Sequence, residues 1–504
     1  MAFIDNFLNK ITMYRLVLYY LTALLGVTAL FGLFGIIAYN PANLAFSTLV
    51  ILAAGWLAQT VFVRVFGALP NVESVYITSL LLALLITPVE PTNYAGIGFL
   101  IFASVWAMAS KFIFAIGKKH IFNPAAFGIA LSGLMIGHAA SWWVGGTLPL
   151  LPFVVIGGLL IVRKIHRFDL VIAFLITAAI AVTLTTPSVD LVSPIMKTVL
   201  HSAIFFLGFV MLTEPLTMPP SRWLRVAYGA LVGLLFAPNV HLGSLYFTPE
   251  LGLLVGNIFV YLVSPKGRFT LSLLEKRELA EGTFEFVFKS DRPLTFKAGQ
   301  YLEWTVPNRF ADDRGNRRFF TIASSPTEDV VRLGVKFYKP ASTFKRALWA
   351  LQEHDTISAS HVAGDFTLPR DKNAKLAFIA GGIGVTPFRS MAQYLVDTKD
   401  ARAVTLLYSN KTAAEIAYKE VFDTAATAIG MKIVYALTDE PAPIPGTVSG
   451  FIDAALIARE IPDYKERVFY ISGPHGMVEA FKGILQGMGV SRWNIKTDYF
   501  PGFA

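Results

Sequence analysis

Long unbroken apolar runs fill roughly the first 265 residues of the chain, and short alternating runs fill the remainder. The segment LVLYYLTALLGVTALFGLFGII, from Leu16 to Ile37, exceeds the about 20 residues needed to cross a bilayer. Runs of this kind predict about ten helices, centred near residues 27, 55, 80, 103, 130, 156, 178, 203, 231 and 257. The first is too long for a signal-peptide core and no small-residue cleavage site follows it, so it is read as a first transmembrane helix. The pattern breaks at Ser264-Pro265-Lys266-Gly267.

Beyond the break, FTLSLLEKREL, TFEFVFKS, QYLEWTV, RRFFTIAS and VRLGVKFY alternate with period two between Gly, Pro and Asp, which predicts a small antiparallel barrel. From Lys375 strands alternate with amphipathic helices (KLAFIA then PFRSMAQYLVDT, AVTLLYS then AAEIAYKEVFDTAATA), as in a doubly wound parallel sheet. The expected fold is multi-domain: a polytopic α-helical membrane domain over 1–265, a β-barrel over 269–370 and a doubly wound α/β domain over 374–504.

Composition adds an orientation. Mean hydropathy is +0.56 and 15% of residues are charged, too apolar for a wholly soluble chain. Lys10 with Arg15, Arg64, Lys118-Lys119, Arg163-Lys164-Arg167, Arg222 with Arg225, and Lys266 with Arg268 fall in every second loop, with Lys197 the exception. Basic loops stay inside, so both termini and the second half are expected on the cytoplasmic side of the inner (cytoplasmic) membrane. The net charge of +9 is then a topology signal, and no nucleic-acid partner is expected. There is no cysteine, which excludes disulfides and Cys-ligated zinc or iron–sulfur centres; no metal ligand set is expected.

The candidate chemistry lies in the second half. The first strand–helix turn reads Gly381-Gly382-Ile383-Gly384-Val385-Thr386-Pro387, with glycines where backbone must approach a ligand and a helix start suited to a pyrophosphate. RRFFTIASSP, residues 317 to 326, resembles the flavin signature of the ferredoxin–NADP reductase family, with Arg318, Phe320, Thr321, Ser324 and Pro326 at its positions. VKFYKPAST, VAGDFTLP and YISGPHGM follow in the family's order, and the likeness covers essentially all of residues 269 to 504.

That resemblance implies FAD held by Arg318, Phe319, Phe320, Thr321, Lys336, Ser342 and Thr343. It implies NADH or NADPH on Gly381, Gly382, Gly384, Thr386, Pro387, Ser409, Gly473 and Pro474. Thr321 and Ser472 stand nearest the reaction, and Tyr499 or Phe500 lies near the flavin ring. Two departures matter. Ser472 stands where the family often has Cys, and Phe320 lacks the hydroxyl of the usual Tyr. Ser409-Asn410-Lys411 offers some purchase on a 2′-phosphate, yet no Arg is present; both coenzymes stay open, with a lean toward NADH.

The first half repeats itself. ITSLLLALLITPVEPTN from Ile77 is echoed by HSAIFFLGFVMLTEPLTMPP from His201, and HIFNPAAFGIALSG from His120 by LYFTPELGLLVGN from Leu245. Loop charges set the two copies in opposite senses, as in inverted repeats with sites at mid-membrane. Asn123-Pro124-Ala125-Ala126, Leu212-Thr213-Glu214-Pro215 and Pro219-Pro220-Ser221-Arg222-Trp223 make this half similar to the B subunit of the sodium-translocating NADH:quinone reductase and the D subunit of Rnf complexes. The resemblance implies a membrane-bound flavin. The relatives' loop carrying covalent FMN has shrunk here to GHAASWWVGGTLPLLP, so the expectation is non-covalent FMN or riboflavin lined by Asn123 and Thr213.

The expected function is therefore an NAD(P)H-oxidising membrane flavoprotein passing electrons from cytoplasmic NAD(P)H through FAD into or across the lipid bilayer. The acceptor is quinone or an extracytoplasmic redox protein. A quinone reductase or redox-driven sodium or proton pump component is the alternative. A haem-containing ferric-reductase-like enzyme fits less well, because His120 and His138 are 18 residues apart, about 27 Å along a helix, and do not form the paired ligands two haems need.

Overall fold

A computed structural model describes residues 8, 11–67, 72–116, 119–186, 192–264, 268–308, 316–338 and 340–498. It divides into two compact units, Met1–Gly267 and Arg268–Ala504.

In the first unit, nine of the ten expected centres fall on helices: α1 (Met13–Leu33), α2 (Pro41–Phe66), α3 (Val72–Leu85), α4 (Tyr94–Ile113), α5 (Pro124–Ile136), α6 (Leu151–Ile165), α7 (Phe168–Thr185), α9 (Arg222–Phe236) and α10 (Pro249–Val263). The tenth, near 203, falls where α8 (Val192–His201) breaks by 67° from its continuation Ile204–Met211. Five helices are long and apolar enough to cross a membrane, six if the bent pair counts as one span, among the described residues. Ten full crossings are therefore not established. Helices α3, α5 and α10 have 14, 13 and 15 residues, about 20 Å each, short of a 30 Å hydrocarbon layer. Local chemistry shortens them: Asn123 and Thr248 cap α5 and α10 from their side chains with proline at the first helical position, and Gly137, in the left-handed region, ends α5.

The two halves of this unit share one order of elements. A two-stranded hairpin, β1 (Ala115–Ile116) with β2 (Lys119–His120), precedes short helix α5, and a second, β3 (His241–Leu242) with β4 (Leu245–Tyr246), precedes short helix α10. Between 22% and 50% of each long apolar window is buried inside the protein. The outward faces carry Leu33, Leu57, Val65 and Leu184, each at least 70% exposed, an apolar surface too large for water to cover cheaply.

In the second unit, six antiparallel strands lie in the order β8 (Arg317–Thr321), β7 (Tyr301–Thr305), β10 (Thr356–Ala363), β5 (Phe269–Ala280), β6 (Thr283–Ser290), β9 (Val331–Lys336). Ala323 N–H donates to the Arg332 carbonyl at 2.9 Å, joining the two edge strands and closing the barrel around Phe286, Phe288, Trp304 and Phe344. The α/β lobe is a parallel sheet ordered β14 (Thr447–Ser449), β13 (Lys432–Leu437), β12 (Val404–Asn410), β11 (Leu376–Gly381), β15 (Val468–Ser472), β16 (Ile495–Asp498). Apolar clusters cover both its faces, so its central strands read as continuous apolar runs. The chain reverses direction across the sheet between β11 and β15, where such folds open a ligand crevice.

Small residues let the helices of the first unit touch. A Cβ at Gly128 on α5 would lie 2.4 Å from the Ala103 carbonyl oxygen of α4, whereas one at Gly26 on α1 would meet nothing within 4 Å. Gly128→Val should cost about 1–3 kcal/mol and Gly26→Val far less. Thermal melting of the detergent-solubilised protein checks the contrast, and equal melting points would contradict it.

Candidate functional site

Strand β8 sorts its side chains by alternation. Arg318 and Phe320 share one face, where Phe344 of α11 (Thr343–Trp349) meets both: the Arg318 guanidinium carbon lies 5.3 Å from its ring and the Phe320 ring 5.8 Å away. Arg318 is 8% exposed and donates to the Arg317 carbonyl at 2.6 Å. Phe319 takes the opposite face, edge-on to Tyr301 at 5.6 Å and 40% exposed, so Phe319 and Phe320 do not serve one surface. Ser342 caps α11, accepting from Lys345 N–H at 3.3 Å, with Thr343 the first helical residue. Lys336 is committed elsewhere, in an ion pair of 2.9 Å with Glu415.

The glycine turn at the end of β11 leads into α12 (Thr386–Asp397). A Cβ at Gly384 would lie 2.6 Å from the Ser472 carbonyl oxygen and 2.6 Å from Gly473 Cα, and one at Gly381 2.3 Å from Met477 Sδ. These glycines therefore let two loops pack backbone to backbone. Gly382, at φ +51°, has nothing within 4 Å of its Cβ position, so the outer face of the turn is open for a ligand. Thr386 and Pro387 begin α12, and Thr386 Oγ1 donates back to the Ile383 carbonyl at 3.2 Å. Ser409 sits beside the turn, in register with Gly381. Pro474 caps the helix His475–Gly487.

In the helical unit, Asn123 and Thr213 are buried but their side chains are already bonded. Asn123 Nδ2 donates to Glu214 Oε2 at 2.9 Å, its Oδ1 accepts from Ala126 N–H, and its own N–H donates to Asn257 Oδ1 at 2.8 Å. Thr213 Oγ1 donates to the Phe209 carbonyl at 2.7 Å. His120 Nε2 lies 3.1 Å from Glu214 Oε1, and Asn257 Nδ2 donates to Tyr228 Oη at 3.2 Å. A flavin bound through Asn123 or Thr213 would have to displace these bonds. Sequence spacing showed Glu214 as a polar group but not its long-range partners Asn123 and His120, which lie 91 and 94 positions away.

Sequence reasoning missed Asp498. Tyr499 and Phe500, expected near the flavin ring, lie outside the described residues. Parallel pairing of β15 with β16 sets Asp498 in register with Ser472, and Thr321 Oγ1 donates to Asp498 Oδ2 at 3.5 Å. Asp498 is thus bonded to one of the two residues expected at the reaction centre and paired in register with the other, with Thr321 and Ser472 each 4% exposed. Burial pushes that carboxyl up to about 7 from its ordinary 3.8, against the lowering pull of Thr321. Because the folded value lies above the unfolded one, its cost to the fold is absent below 3.8 and fully present above about 7. Asp498→Asn should gain thermal stability over the parent progressively across that window and hold the gain above it. A melting-point difference that does not change with pH would contradict this.

The oxidoreductase NAD-binding domain family matches residues 378–483. Over 230 residues the chain is 30% identical to Oxidoreductase NAD-binding domain-containing protein 1 of Bos taurus, covering 41% of this chain and 72% of that one. It is 29% identical over 222 residues to the reductase component of an aromatic O-demethylase from Amycolatopsis sp., covering 43% of this chain and 64% of the relative. It is 26% identical over 239 residues to the flavohemoprotein of Oceanobacillus iheyensis, covering 45% of this chain and 58% of the relative. This chain belongs to the oxidoreductase NAD-binding domain family and is an NAD(P)H-dependent flavin oxidoreductase of the ferredoxin–NADP reductase type.

Proposed function

We propose that the protein takes a hydride from NADH or NADPH in the cytoplasm and delivers the electrons into or across the membrane, to quinone or to an extracytoplasmic redox protein. The observation carrying this reading is the placement of Asp498 against Thr321 and in register with Ser472 beside the glycine turn, in a chain whose described residues also hold five helices of membrane-spanning length. The working division is a membrane domain over 1–265, a flavin barrel over 269–370 and a nucleotide lobe over 374–504.

The residues present fit both cofactors. A buried guanidinium with an aromatic beside it, Arg318 with Phe320 and Phe344, suits a pyrophosphate and a planar ring, and Ser342 and Thr343 add a hydroxyl-bearing helix start. FAD bound there supplies a carrier that accepts a hydride and releases electrons singly. The open face at Gly382 and the start of α12 suit the dinucleotide's pyrophosphate, with Gly381, Gly384, Thr386, Pro387, Ser409, Gly473 and Pro474 around it. Arg318 would neutralise phosphate charge, buried Thr321 and Ser472 keep water from the reacting atoms, and Asp498 orients Thr321 by accepting from its Oγ1. Lys336, paired with Glu415, contributes to lobe docking instead. Support for the membrane step comes from the apolar outward faces and the broken helix at 201–204.

Arg318→Ala should lower the FAD content of the purified protein several-fold, whereas Gly384→Val should retain FAD that dithionite reduces and NADH does not. Acid extraction with chromatography, followed by anaerobic titration, reads both. For the membrane step, proteoliposomes with ferricyanide trapped inside and NADH added outside should bleach the trapped oxidant in proportion to outward-facing protein. NADH oxidation with external acceptors only would confine the activity to the soluble module.

A further inference from the structure

Strand β9 touches both cofactor-facing elements of the second unit. At Arg332 its carbonyl accepts from Ala323 N–H, directly after β8, at 2.9 Å. Two residues on, Gly334 lies against the dinucleotide turn: a Cβ there would sit 2.6 Å from Tyr418 Oη, 2.9 Å from Thr386 Cγ2 and 3.3 Å from Ile383 Cδ1. Two residues along a strand span about 7 Å. One short stretch of β9 thus bears on the flavin-side strand and on the turn that receives the dinucleotide.

Tyr418 is not a side chain that yields easily. It is 1% exposed and holds φ +60°, a left-handed conformation uncommon for a bulky residue and kept only where packing enforces it. Its backbone is fixed just upstream, where Ala417 N–H donates to Tyr408 Oη at 3.3 Å. Over its ring, at 5.8 Å, lies the Arg389 guanidinium, itself bonded to the Ala323 carbonyl at 3.1 Å and to Glu328. The ring whose hydroxyl faces Gly334 therefore lies beneath the guanidinium that joins α12 to the segment after β8.

We infer that Gly334 and Tyr418 form a positioning pair: the missing side chain at 334 lets Ile383 and Thr386 sit hard against the flavin-bearing barrel, and so sets the gap across which hydride passes. Neither residue is asked to touch the cofactors. The inference rests on the hydride-transfer reading above. An alanine methyl must move Tyr418, and the turn with it, by about 1 Å to reach ordinary contact, and a displacement of that size costs up to about a hundredfold in rate.

The test is a double-mutant cycle in the full chain in detergent, following flavin reduction anaerobically by stopped flow with NADH and with NADH deuterated at the transferring position. Gly334→Ala should keep FAD content and reduction by dithionite, and slow the limiting rate at least about tenfold, with the deuterium effect retained. On a Tyr418→Phe background the same Gly334→Ala change should slow reduction several-fold less than it does in the parent, because the nearest of the atoms it meets is gone and only Thr386 Cγ2 at 2.9 Å and Ile383 Cδ1 at 3.3 Å remain. A parent rate in Gly334→Ala, loss of FAD in step with loss of rate, or an equal penalty on both backgrounds would each overturn the pair while leaving the hydride reading intact. Parent protein whose flavin NADH does not reduce would overturn both.

Discussion

Two neighbouring side chains on α12 tie the barrel of the second unit to its glycine turn. Arg389 donates to the Ala323 carbonyl and bonds Glu328, and Ser390 Oγ donates to the Ser324 carbonyl at 2.6 Å. Those carbonyls end the strand that carries Arg318, Phe320 and Thr321, and α12 begins at the glycine turn. All four groups are buried, and a buried carbonyl without a donor costs about 1–3 kcal/mol, so the junction is specified rather than loose. Around it Phe388 stacks on Phe378 at 4.7 Å and Phe366 meets Tyr470 edge-on, an aromatic layer that leaves the barrel and the sheet little freedom to slide. The convergence of Thr321, Ser472 and Asp498 follows from this junction together with the parallel register of β15 and β16.

The first unit meets a different constraint. In the membrane placement proposed above, its backbone polar groups must be satisfied internally, yet its described residues include short helices and a sharply bent pair. The structure answers with capped helix starts and with side-chain bonds between distant segments. Glu214 receives Asn123 and approaches His120 and Thr217, and Trp142 Nε1 donates to Glu250 at 2.8 Å. A carboxylate bonded this way is tolerable where a bare one is not.

Much of this was legible in the chain itself, because the strongest signals are periodic. Runs from Leu16, Phe168 and Pro249 place helices, period two through TFEFVFKS and VRLGVKFY places barrel strands, and Gly381 to Pro387 marks the strand–helix turn. Helix length was less legible: α5 sits inside an apolar stretch longer than the helix itself, and only the Asn123 cap and Gly137 bound it. Partners at long range were not legible at all. Nothing near Lys336 announces Glu415, and nothing near Thr321 announces Asp498, 177 positions on. A parallel strand after YISGPHGM, counted out residue by residue from Ser472, was the one signal that would have found Asp498.

The repeated order of hairpin and short helix in the first unit carries a consequence for how such a chain can change over generations. Asn123 of one half bonds Glu214 and Asn257 of the other, and Trp142 of the first bonds Glu250 of the second. The two halves are thus each other's solvent for their polar groups. A replacement at one of these positions strands a buried partner in the opposite half, so drift in either half is answerable only by matching drift in the other. The two halves can lose similarity freely elsewhere while remaining tied at these few reciprocal points.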